Sequence, residues 1–88
     1  MSIIKYKACD TAEQLSDGSV KVLFINQMNG IPWTHTFPPE CGLTVDAILS
    51  WANGEARIQS AMPQLTATER EFFLTGFTES EQKEIFGE

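Results

Sequence analysis

Along the first part of the chain apolar and polar residues alternate with period two; from Thr44 onward the apolar residues recur at helical spacing. In Ile3 to Ala8, Ile4, Tyr6 and Ala8 share one face while Lys5 and Lys7 share the other, which predicts a half-buried strand with a solvated lysine face. Residues 9–18 are polar and end in an Asp17-Gly18 turn signal, with room for a short helical turn over Ala12 to Leu15. Ser19 to Met28 carries Val20, Val22 and Phe24 on one face and Leu23 and Ile25 on the other, the pattern of a central strand covered at least partly on both sides. Asn29-Gly30 follows it, a dipeptide that tolerates positive φ at both positions and so favours a two-residue hairpin turn. That turn would set Met28 opposite Ile31, Asn26 opposite Trp33, Phe24 opposite His35 and Val22 opposite Phe37. Pro32 lacks a backbone donor, so the returning strand 31–37 belongs at an edge.

Pro38-Pro39-Glu40-Cys41-Gly42 breaks the strand pattern. Thr44 then caps a helix running to about Ala52, with Asp46 in its first turn and Asn53-Gly54 as its stop. Val45, Ile48 and Leu49 form its apolar stripe, with Trp51 near the rim. A second helical segment, Glu55 to Met62, ends before Pro63. The tail repeats one local design: Thr66 precedes Glu69 by three residues and Thr78 precedes Glu81 by three, each a capping box, and the two segments stop at Gly76 and Gly87. Phe72, Phe73, Phe77 and Phe86 are the expected core of this helical pair. The fold class that follows is α+β: an antiparallel meander of three strands, near 2–8, 19–28 and 31–37, with three or four short helices packed on one face. One domain spans 1–88, strand-rich over 1–37 and helical over 44–87.

Charge narrows the partners. Twelve acidic against six basic side chains give a net charge of −6 at pH 7, which disfavours direct nucleic-acid binding and anionic membrane surfaces and suits a basic protein surface. The apolar runs needed for a signal peptide or a membrane span are missing, so a cytosolic location is expected, where Cys9 and Cys41 would be thiols. His35 is the only histidine, set on the packed face without a nucleophile at a recognisable spacing, and a structural histidine is the simpler reading. One histidine and two distant cysteines do not make a zinc spacing, and no phosphate-binding loop or dinucleotide fingerprint is present, so no cofactor is expected.

The last third holds Glu69, Glu71, Glu79, Glu81, Glu84 and Glu88 against Arg70 and Lys83. Of the glutamates not used in capping, Glu71, Glu79 and Glu84 are the candidate acidic contacts for a partner, with Trp51 as an apolar anchor beside them and Trp33 as a second aromatic candidate.

Trp51, Gly54, Ile58-Gln59, Ala61, Pro63 and Leu65, then Glu69-Arg70-Glu71-Phe72-Phe73-Leu74-Thr75-Gly76 and Ile85-Phe86-Gly87, resemble the C-terminal part of small phage and prophage proteins of unknown function. The resemblance covers residues 51–87 and implies a viral or prophage origin but no reaction. Similar tails often carry a tryptophan in the last helix, where this chain has Gln82-Lys83. The expected function is a non-enzymatic protein-binding module acting on a host or viral protein and competing with nucleic acid for a basic surface. The alternatives are a self-associating virion or assembly component and, third, a small enzyme built on His35 and Cys41.

Overall fold

The computed structural model describes residues 1–87; Glu88, counted above among the acidic residues of the tail, lies outside them. Four strands form one antiparallel sheet in the order β1-β2-β3-β4: β1 Ser2–Tyr6, β2 Cys9–Gln14, β3 Val20–Ile25 and β4 Pro32–Phe37. A 3₁₀ turn at Pro39–Cys41 leads to α1 Val45–Ala52, α2 Ile58–Ala61, α3 Ala67–Thr75 and α4 Glu79–Phe86. The class is α+β as expected, but the sheet has four strands where the sequence pattern predicts three.

The additional strand is β2, in the stretch read as a polar connection with a helical turn. Its inward residues are small, Cys9 and Ala12, and a bulge between Cys9 and Thr11 shifts the alternation by one residue. A strand whose buried side changes parity halfway carries no period-two signal, and small residues add little hydrophobic contrast. The connection before it is tight. Lys5 and Lys7 both adopt positive φ, 46° and 50°, so β1 ends at Tyr6 rather than running on to Ala8.

The β3–β4 hairpin forms, two residues out of the expected register. Val22 faces His35 and Phe24 faces Trp33, because the connection has four residues instead of two. Asn26 builds that loop: its Oδ1 accepts from the backbone N–H groups of Met28 (2.8 Å) and Asn29 (3.2 Å), and its carbonyl accepts from Gly30 (2.7 Å). A shift by an even number leaves every side chain on its expected face. Val20, Val22, Phe24 and Phe37 therefore still point into the core, whereas Ile31, expected on the same packed face, lies beyond the strand's end and is exposed.

One face of the sheet and the helices enclose that core. Phe24 and Phe73 meet edge-on at 4.9 Å between ring centroids, Trp33 and Phe72 likewise at 4.9 Å, and Ile48, Met62 and Leu65 complete the layer. Thr44 caps α1 by accepting from Ala47 N–H, as its sequence position predicts. The rim position expected for Trp51 is corrected. Its ring is 5 % exposed, held edge-on between Tyr6 at 4.9 Å and Phe73 at 5.6 Å. The segment 55–62 is helical only over Ile58–Ala61, since Gly54 turns through positive φ and the chain bends at residues 55–56 before Arg57 takes the N-cap position without a side-chain cap. The other face of the sheet is open, with Ile3 exposed and Leu23 and Ile25 half-buried.

Candidate functional site

The last two helices carry the same local design, and both capping boxes form. Thr66 Oγ1 accepts from Glu69 N–H and the Glu69 carboxylate accepts from Thr66 N–H; Thr78 and Glu81 repeat the exchange. Both helices end on a left-handed glycine, Gly76 at φ 73° and Gly87 at φ 75°.

The carbonyls left over at the end of α3 are met by the sheet. Ala8 N–H donates to Phe73 O (3.1 Å), Gln27 N–H to Thr75 O (2.9 Å) and Trp33 Nε1–H to Gly76 O (2.8 Å). Terminal helix carbonyls need such partners, and here strand and loop groups supply them. Gly76 sits so close to β3 that a side chain there would run into the Ile25 and Asn26 backbone; an added Cβ would lie 2.8 Å from the Ile25 carbonyl carbon.

α4 is tied down at its start by polar groups. The Asn26 Nδ2 amide donates to both carboxylate oxygens of Glu81 at 3.1 Å, so one carboxylate caps α4 and also clasps the hairpin loop. The Thr78 backbone N–H favours the charged form of Glu81 and lowers its pKa, with the Thr78 and Asn26 side chains acting in the same direction. Gln82 donates to Thr68 O and Phe77 O at 3.0 Å each and joins α4 to the start of α3.

Between these helices lies a groove of about 380 Å³. Thr68 and Glu71 of α3 line one side; Glu79, Gln82, Lys83 and Phe86 of α4 line the other. Glu79 and Lys83, one turn apart, form an exposed ion pair at 3.8 Å. Phe86 is 53 % exposed and leans on Phe77 at 6.4 Å, so the core position expected for it is corrected. Two of the three candidate glutamates, Glu71 and Glu79, are brought to one groove. Glu84 is exposed on α4 but does not line it. Trp51 is buried beneath α1, and Trp33 is half-buried with its indole N–H already committed to Gly76. The aromatic side chain available beside the acidic groups is Phe86. Its place in an i, i+4 row with Gln82 was readable; that the row faces a groove depends on how α4 sits against α3.

The remaining reactive groups stand apart from this groove. Burial pushes the Cys9 thiol up to about 12, with Asp10 adding to the effect. The Cys41 thiol is also raised by burial, partly offset by the Leu43 backbone N–H. Both cysteines are free thiols. His35 packs edge-on against Phe37 at 4.6 Å and lies 5.3 Å from the Phe72 ring centroid. Among the described residues no group of three or more His, Cys, Asp or Glu side chains is placed to hold a metal ion, and no helix is long and apolar enough to cross a membrane.

Comparison with models of known families, with curated proteins and with solved structures finds no match to this chain.

Proposed function

We propose that the protein is a small, non-enzymatic protein-binding module of phage or prophage origin, acting on a host or viral protein in the bacterial cytosol. The observation that carries this reading is the groove between α3 and α4, where an exposed phenylalanine stands beside Glu71 and Glu79, neither of them part of a capping box. An aromatic side chain left half in water is an anchor in waiting, and carboxylates around it select the sign of what approaches. The partner that fits is a segment with an apolar residue to cover Phe86 and lysine or arginine side chains to meet Glu71 and Glu79. A basic surface of that kind also takes nucleic acid, so competition with nucleic acid for the partner is part of the proposal. The resemblance of residues 51–87 to the C-terminal part of small phage and prophage proteins supports the origin.

The test is affinity capture from bacterial lysate with three baits: the wild type, the groove variant Glu71→Gln/Glu79→Gln/Phe86→Ser, and Glu84→Gln as a charge control outside the groove. A protein retained by the wild type and by Glu84→Gln but lost from the groove variant supports the reading. Equal retention by all three baits rejects the groove as the binding site.

A further inference from the structure

The two edges of the sheet are built differently. β1 is short, bulged between Ile3 and Tyr6, and has a positive φ at Lys5 within it and at Lys7 just after it, all features that discourage another strand from pairing. β4 reads Pro-Trp-Thr-His-Thr-Phe and carries no Asp, Glu, Lys or Arg.

Backbone alternation shows which groups of β4 remain. Asn26 N–H donates to Ile31 O, and Ile25 N–H donates to Ala8 O on the opposite side of β3. In an antiparallel ladder this alternation continues along the strand. Trp33, His35 and Phe37 therefore direct their backbone groups to β3, while Pro32, Thr34 and Thr36 direct theirs outward. Among the described residues, Thr34 and Thr36 make no backbone hydrogen bond beyond the β3 ladder, and both are exposed. Pro38 continues the outward register in extended conformation, at φ −67° and ψ 160°, and its carbonyl already accepts from Cys41 N–H. The outward edge thus reads Pro-Thr-Thr-Pro, with donors on the two threonines alone.

We infer that β4 pairs antiparallel with β4 of a second copy of this chain, in the register that sets Thr34 opposite Thr36 of the second copy. That register satisfies all four outward N–H and C=O groups of the two threonines on each side. It also places Pro32 opposite Pro38, so the two positions without an N–H face each other and neither threonine is set against a proline. Shifting by two residues either way puts a threonine opposite a proline and leaves one threonine carbonyl without a donor. Odd shifts set outward groups against inward ones. The bracketing prolines, which elsewhere serve to block an edge, here select a single alignment.

Charge is compatible with a like partner. Residues 1–37 carry three basic and three acidic side chains, so the whole net charge of −6 lies in the rest of the chain. The two-fold axis passes beside His35, opposite itself, and the two sheets join into one of eight strands with both helical layers on the same side. Trp33 and His35 on the helical side are half-buried, so the helices stop short of covering this edge. The β4 edge is separate from the α3–α4 groove, and either surface can fail without the other.

Sedimentation equilibrium from micromolar to millimolar concentration, with amide hydrogen exchange followed by NMR across the same range, tests the inference. A concentration-dependent dimer is expected, with Thr34 and Thr36 amide exchange slowed together by about tenfold or more as it forms. Thr34→Lys/Thr36→Lys, which places four lysines at the junction while altering only exposed side chains, should stay folded by circular dichroism and remain monomeric. A wild-type monomer throughout the range overturns the inference. So does a dimer in which the Thr34 and Thr36 amides exchange as fast as in the dilute protein, the result expected if the open sheet face or the helical groove made the contact.

Discussion

α3 and α4 are written in nearly the same local code, yet the molecule uses them in opposite ways. Each begins with a Thr–Glu capping box and ends on a left-handed glycine. α3 is built into the core: Phe72 and Phe73 are buried, and its last carbonyls are capped by the sheet. α4 touches the rest of the molecule through polar groups near its start and buries Gln82 alone, leaving Ile85 46 % exposed and Phe86 more so. Capping signals specify where a helix starts and stops; which face it buries is decided by what stands opposite. The second helix leaves its apolar residues Ile85 and Phe86 exposed.

Breaking this pair at equivalent positions should give unequal results. The largest contrast is at the glycines. Gly76→Ala must place a Cβ against the β3 backbone in a left-handed conformation, and should cost about 3–5 kcal/mol in urea denaturation. Gly87→Ala meets open space and should cost about 1 kcal/mol, the left-handed strain alone. Similar costs for both would mean that α3 is not docked against β3 as described.

The aromatic pair comes next. Phe73→Ala opens a cavity at a fully buried site and should cost about 3–4 kcal/mol, whereas Phe86→Ala should shift the denaturation midpoint by less than about 0.5 kcal/mol. A large loss at Phe86 would show that α4 folds on its outer face after all.

The tandem design itself was legible before any coordinates, because capping boxes and glycine stops are local signals. So were the strand identity of Val20 to Ile25 and the edge position of the proline-bearing strand. What failed to show were features set by contacts distant in sequence. β2 was masked by its bulge and its small buried residues. The hairpin register depended on the Asn26 side chain, which organises a longer loop than Asn29-Gly30 alone would make. The groove that joins Glu71 and Glu79 required the angle between two helices, and the burial of Trp51 required Tyr6 from the first strand, forty-five positions away.

Removing caps gives a smaller effect. Thr66→Ala and Thr78→Ala should each cost about 1 kcal/mol by the same denaturation assay. Glu81 is held below the ordinary glutamate value of 4.5, so its contribution to stability is present above that pH and is lost as pH falls through the lower folded-state value. Glu81→Gln should therefore flatten the acid side of a stability-against-pH curve. An unchanged curve would mean that the Asn26 and Thr78 contacts do not favour the charged form.

We propose that α4 and the facing side of α3 bind a basic partner. The most direct test is the salt dependence of association between the captured partner and the protein, wild type against Glu71→Gln/Glu79→Gln, from low to physiological ionic strength. The account predicts slower association and a flatter salt dependence for the variant, with its denaturation midpoint unchanged. Identical association rates and identical salt slopes for the two proteins would contradict it.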